Sequence, residues 1–116
     1  MTSSADLADP KIRYVLDNYL ETIRREFAPA ELWLWGSRVY GHPDEYSDVD
    51  MILVSERFRE VRFFDRRQLF RDVTGIHKDP NAEVVDVLCY TPEEFAELRS
   101  GPTIIREAVE KGIRVA

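Results

Sequence analysis

Two aspartates two residues apart, Asp48 and Asp50, open an apolar run, Met51-Ile52-Leu53-Val54. The run reads as a strand from Asp48 to Val54, in which alternate side chains share a face. Asp48 and Asp50 then point the same way, about 6.6 Å apart along the strand. Aspartate is disfavoured in strands, and two anions this close repel unless a cation lies between them. Hard carboxylate oxygens of this kind suit Mg²⁺. A third carboxylate, Asp86, interrupts another strand of buried character, Val84-Val85-Asp86-Val87-Leu88. If the two strands are neighbours, Asp86 faces the pair and the three make a metal site. The bland alternative makes Asp48 a turn residue and Asp50 a polar residue on an exposed face. It leaves both anions without a partner at the head of a buried run.

Upstream of this pair lies Gly36-Ser37-Arg38, directly after the short apolar strand Glu31 to Trp35. Glycine lets the backbone turn sharply and approach a ligand closely. Ser37 is expected to cap a short helical turn, Arg38-Val39-Tyr40, ended by Gly41. N–H groups at a helix start attract phosphate, and Arg38 is a candidate phosphate contact, with a surface ion pair as its alternative. Ser47, next to Asp48, is placed to orient that carboxylate. The segment is not a P-loop, because no Gly-Lys-Ser/Thr follows. An EF-hand also fails, for lack of the central glycine and terminal glutamate. His42, His77 and Cys89 lack zinc spacing.

The elements that must position these groups follow from caps and periodicity. Residues 1–9 read as a loose tail and 10–116 as one domain. Asp9-Pro10 starts a helix. Ile12, Val15, Leu16, Tyr19, Leu20, Ile23 and Phe27 give it one apolar stripe, and Pro29 stops it. Trp33 and Trp35 share one face of the following strand and are read as core, with base stacking as the alternative role. The arginines between Ser55 and Asp72 alternate with acidic residues and read, for most of them, as a solvated face laced with ion pairs, with a local anion or partner contact as the alternative. A helix is predicted from Asp65, or from as early as Phe58 as the alternative, with Asp65 and Gln68 as a capping box, Phe64 and Leu69 as a staple, and Gly75 as its end. A third strand spans Ala82 to Tyr90. Thr91-Pro92-Glu93-Glu94 starts another helix, Gly101-Pro102 breaks it, and a helix to Lys111 precedes a short last strand, Ile113 to Val115. The order fits a single α/β or α+β layer, a mixed sheet flanked by helices.

Composition limits the partners. The chain has 116 residues, 44% hydrophobic and 33% charged, as in a globular protein with a real core. No apolar run approaches a membrane span. The first residues lack the basic-then-apolar pattern of a secretory signal, and a single cysteine, Cys89, permits no internal disulfide; both predict a cytoplasmic protein. Cys89 reads as a small core residue. A net charge of -6 argues against binding to duplex DNA.

Gly36-Ser37, Ser47-Asp48-Val49-Asp50 and a later Asp86 resemble the nucleotidyltransferase superfamily of DNA polymerase beta, and within it the minimal nucleotidyltransferases of bacteria and archaea. The segments Val85-Asp86-Val87-Leu88-Cys89-Tyr90-Thr91-Pro92-Glu93-Glu94-Phe95 and Arg106-Glu107-Ala108-Val109-Glu110-Lys111-Gly112-Ile113 are also similar to that group, so the resemblance covers residues 10–116. It implies a polymerase-beta-like fold and transfer of a nucleoside monophosphate from a nucleoside triphosphate to a hydroxyl. It further implies that Asp48 and Asp50 bind two Mg²⁺ ions, that Asp86 helps bind the one nearer the acceptor, and that Gly36 and Ser37 hold the β- and γ-phosphates. Two such ions can steady both the attacking and the leaving oxygen of an in-line displacement. Asp86 is the candidate acceptor of the hydroxyl proton.

Larger members of that superfamily add a domain that grips the acceptor, for which these residues leave no room. The expected acceptor holder is therefore a partner chain, a second copy in a homodimer, or a shallow surface. Many minimal members pair with a helical HEPN-type ribonuclease toxin, and some act as antitoxins by adding AMP from ATP to a tyrosine of the toxin. That is the expectation the resemblance carries here. Transfer to a small-molecule hydroxyl, such as that of an aminoglycoside, and non-catalytic covering of a toxin are the competing expectations.

Overall fold

In the computed structural model, residues 9–41, 48–82 and 85–116 are described. The first helix, α1 (Pro10–Phe27), begins where the caps place it: the Asp9 carboxylate accepts from the N–H groups of Lys11 and Ile12 at 2.8 and 3.2 Å, and Pro10 takes the first helical position. Of the residues assigned to the loose tail, Asp9 is thus ordered by its cap, and 1–8 lie outside the described residues. The helix ends one residue before Ala28, whose φ of 40° is left-handed. Ile12, Val15, Ile23 and Phe27 of its stripe are buried.

Four strands form one sheet in the order β3 (Val85–Tyr90), β2 (Val49–Val54), β1 (Glu31–Trp35), β4 (Ile113–Arg114). Strands β1 and β2 are antiparallel, as are β1 and β4, whereas β2 and β3 run parallel. A parallel pair needs a crossover, and the chain supplies it with a 3₁₀ turn, Glu56–Phe58, and helix α3 (Phe63–Thr74). Period-two alternation divides the sheet into two faces. Leu32, Leu34, Val49, Met51, Leu53, Val87 and Cys89 pack with α1 and α3 around Phe27, Phe58 and Phe70, with Phe27 ring centroids 5.5 and 5.9 Å from the other two. Trp33, Trp35, Ile52, Val54, Leu88 and Tyr90 face α4 (Pro92–Ser100) and α5 (Ile104–Lys111) through Phe95, Ile105 and Ala108. Both tryptophans therefore belong to the second core.

Helix α4 carries the capping box read from Thr91 and Glu94: the Glu94 N–H donates to Thr91 Oγ1 at 3.3 Å and the Thr91 N–H to Glu94 Oε1 at 2.8 Å. Other boundaries differ from expectation. Strand β2 starts at Val49, so Asp48 stands just ahead of the ladder. Strand β3 starts at Val85; Ala82 is a buried turn residue, and 83–84 lie outside the described residues. Helix α3 starts at Phe63, not Asp65, with Arg62 as its cap and no side-chain bond to it. The capping box is replaced by a bond from Gln68 Nε2 to Asp72 Oδ1 at 2.8 Å, one turn further on, and Phe64 is 92% exposed, so it staples nothing. Arg66 and Phe70, one turn apart on this helix, both face inward.

Two contacts fix the ends of the site-bearing strands. Ser55, at the end of β2, is fully buried and donates from Oγ to the Phe27 carbonyl, tying that strand to α1. Ahead of β3, Asp79 accepts from the hydroxyls of Tyr14 and Tyr19 on α1 at 2.6 and 2.5 Å. Burial and the Asp79 bond push the Tyr19 hydroxyl up to about 12.

Candidate active site

Register brings the three carboxylates together. Asp50 lies opposite Trp35 on one side and Asp86 on the other, so the end of β1, the start of β2 and the start of β3 meet at one edge of the sheet. Asp48, two residues before Asp50, projects to the same face. Each of Asp48, Asp50 and Asp86 offers one carboxylate oxygen, and all three oxygens lie within 4.8 Å of one another. Asp48 is exposed; Asp50 and Asp86 are half-buried.

The Gly36 turn abuts this cluster. Gly36 has φ 87° and ψ -168°, a conformation essentially reserved for glycine. A Cβ there would overlap the Asp50 carboxylate oxygen Oδ2. The missing side chain is therefore what lets the backbone lie against Asp50. Gly36 itself, not Ser37, is the cap of α2 (Ser37–Tyr40), and no side chain caps that helix. Ser37 is its first residue, because the sharp turn is completed one position earlier than the hydroxyl-cap reading requires.

Burial and like charge set the electrostatics of the cluster. Burial first, then the charges of Asp86 and Asp48, hold the Asp50 carboxyl up at about 6 against an ordinary 3.8. A divalent cation among the three would remove that penalty, and an all-carboxylate donor set is the hard-oxygen kind Mg²⁺ takes. The residues present fit a metal ion, with Asp48, Asp50 and Asp86 as the groups that would hold it.

The remaining predicted contacts separate. Arg38 directs Nη1 to Asp9 Oδ2 at 2.9 Å, with its side chain 7% exposed, so it ties α2 to the start of α1 in a buried pair. Ser47 and His42 lie outside the described residues. His77 is exposed on a 3₁₀ turn, and burial pushes the Cys89 thiol up to about 12, which suits a core residue and not a nucleophile.

One site residue escaped the sequence reading. Arg67, on the crossover helix α3, places Nη2 2.9 Å from Asp86 Oδ1 and directs Nε to the Val87 carbonyl at 3.4 Å, on the open edge of β3. Its neighbour Arg66 is buried, paired with Glu94 at 2.6 Å and donating to the carbonyls of Cys89 and Val61. The solvated-face reading holds for Arg57, Arg59 and Arg67, whose ion pairs are half-exposed, though the partner of Arg67 is a site carboxylate, and it fails for buried Arg66. The available signal was positional: a helix that carries the chain from β2 to β3 runs beside the open strand, so its side chains reach that strand's outward carbonyls.

Among the described residues no helix is long and apolar enough to cross a membrane. None of the curated proteins matches the chain. Three solved structures share its fold. A proposed nucleotidyltransferase from Sulfolobus solfataricus is 20% identical with a TM-score of 0.56, over 98% of this chain and 87% of that one. BolA1 from Arabidopsis thaliana is 23% identical with a TM-score of 0.51, over 65% of this chain and 88% of its own. The BolA domain of SufE1 from the same plant is 21% identical with a TM-score of 0.50 over the same shares. Likeness to differently described proteins shows that the layer alone does not decide function. The sequence profile of the nucleotidyltransferase domain does, matching residues 16–115 and so taking in all four strands and both carboxylate-bearing ends. The chain belongs to the nucleotidyltransferase family, and the chemistry that comes with membership is transfer of a nucleotidyl group.

Proposed function

We propose that this protein transfers AMP from ATP to a hydroxyl of a protein partner, with Mg²⁺ bound by Asp48, Asp50 and Asp86. The observation that carries the reading is the meeting of three carboxylate oxygens within 4.8 Å beside the Gly36 turn. When bound, two divalent ions would neutralise the triphosphate and lower the pKa of the acceptor hydroxyl. Gly36 and Ser37, at the β1 end of the site, are assigned the β- and γ-phosphates. Asp86, at the β3 end, faces the acceptor and takes its proton. The acceptor oxygen attacks the α-phosphorus as the bond from that phosphorus to the bridging oxygen breaks, and pyrophosphate leaves. Beyond this the protein's task is alignment, which accounts for most of the catalysis in phosphoryl transfer.

The resemblance to minimal nucleotidyltransferases supports a tyrosine of a HEPN-type helical toxin as the acceptor, which would make this chain the antitoxin of the pair. Incubation with α-labelled ATP and Mg²⁺, with and without a candidate toxin, tests it. Label on the toxin, lost in Asp48→Asn and Asp50→Asn, is the expected result. Label on an aminoglycoside-like compound instead would move the acceptor to a small molecule. Undiminished toxin neutralisation by the same variants would reduce the protein to a binding module.

A further inference from the structure

Among the described residues the carboxylate cluster has one cationic contact, and it is lopsided. Arg67 pairs with Asp86 alone, at 2.9 Å, with side chains 46% and 42% exposed. Across the sheet edge the order is Gly36, Asp50, Asp86, Arg67, because Asp50 is opposite both Trp35 and Asp86 while β3 is the outer strand. Arg67 is anchored on this side by its Nε bond to the Val87 carbonyl. It also walls a groove of about 250 Å³ with Phe63, Phe64, Val87 and Leu88, which gives the side chain somewhere to go. Arg66 has no such freedom, since it is buried and doubly bonded to Glu94.

We infer that Arg67 is a resident counter-cation of Asp86 which a divalent ion must displace, so that it weakens the site's hold on the ion. This rests on the reading of the three carboxylates as metal ligands. The guanidinium holds Asp86 Oδ1, so a divalent ion that takes that oxygen must displace it, and a positive charge beside the site opposes an incoming dication as well. Both effects have the same sign. Filling the site frees the guanidinium on the flank of Asp86 away from Gly36, the side assigned to the acceptor. Ion loading is thereby coupled to the presentation of a planar N–H fork where the acceptor arrives.

The test is calorimetric titration of Mn²⁺, without nucleotide, into the wild type, Arg67→Ala, Arg67→Gln, Arg67→Lys and Asp86→Asn. Arg67→Ala and Arg67→Gln should bind about fivefold to tenfold more tightly, as expected for losing one half-exposed charge beside a dication. Arg67→Lys, which keeps the charge, should stay within about twofold of the wild type, and added KCl should narrow the gap between Ala and wild type. Asp86→Asn should bind more weakly. Unchanged affinity in both neutral variants, with Asp86→Asn weakened, overturns the inference and leaves the metal reading standing. No effect of Asp86→Asn overturns both. Having two neutral variants keeps the test decisive if one of them fails to fold.

Discussion

Asp50→Asn should make the ion-free protein more stable while destroying its chemistry. At neutral pH the folded protein must hold an anion ionised where burial and two like charges disfavour it, whereas the unfolded chain ionises it freely. The Asp50 carboxyl stands at about 6 instead of 3.8, a gap worth at most about 3 kcal/mol. Asp50 is only half-buried, so solvent screens part of this, and about 1–2 kcal/mol is the expected gain for the isosteric amide. For a domain of this size that is a rise of about 4–10 °C in Tm. The sign follows from linkage. A carboxyl whose folded pKa is raised gives stability that is complete below the unfolded value of 3.8 and is lost as pH rises through about 6. The gap between variant and wild type should thus be widest at about pH 7.5 and close as pH falls from about 6 toward about 4. Thermal melts in EDTA across that range, by circular dichroism and calorimetry, read it directly. A variant no more stable than wild type at neutral pH, or a gap that ignores pH, refutes the reasoning. In the same variant, transfer from α-labelled ATP should drop by at least about 100-fold, because one of the three carboxylates that would hold the ion is gone.

Gly36→Ala should cost about 1–3 kcal/mol, from its positive φ and the overlap with Asp50, and should cut transfer by more than about 100-fold; urea melts and label transfer check both. EDTA should abolish transfer, with Mg²⁺ or Mn²⁺ restoring it, and saturating ion at about 100 times its Kd should add about 2.7 kcal/mol to wild-type stability but much less to Asp50→Asn. Arg66→Ala should cost about 2–4 kcal/mol in a urea melt, since it leaves the Cys89 and Val61 carbonyls without this donor and Glu94 without its partner.

The elements carrying the site were legible because their signals are local. Asp9-Pro10 and the Thr91/Glu94 box each fix a helix start, and the two-residue spacing of Asp48 and Asp50 fixes their shared face. Asp86 could be paired with Asp48 and Asp50 because an anion inside a buried strand demands a partner. The parts that were not legible depend on contacts between distant segments. Asp65 has a cap's residue type, but α3 starts two residues earlier behind Arg62, without a side-chain cap. Ser37 has a cap's residue type too, yet the close approach of Gly36 to Asp50 took that position. Of the two roles open to Arg38 the structure shows an ion pair, with Asp9, while Arg67 from the charged helix reaches a site carboxylate. Composition and spacing do not distinguish two arginines whose partners lie tens of residues away.

Parallel pairing of β2 and β3 has an architectural consequence. Asp50 and Asp86 are cross-strand partners, so the hydrogen-bond ladder, about 4.8 Å per strand, acts as a ruler between them. The connections leading into either strand can be lengthened or exchanged without resetting that ruler, provided the register holds. A slip of one residue in β3 would instead turn Asp86 toward the opposite layer and bring Val87 into its place. The spacing of the two carboxylates is therefore set by strand register and not by the connecting segments.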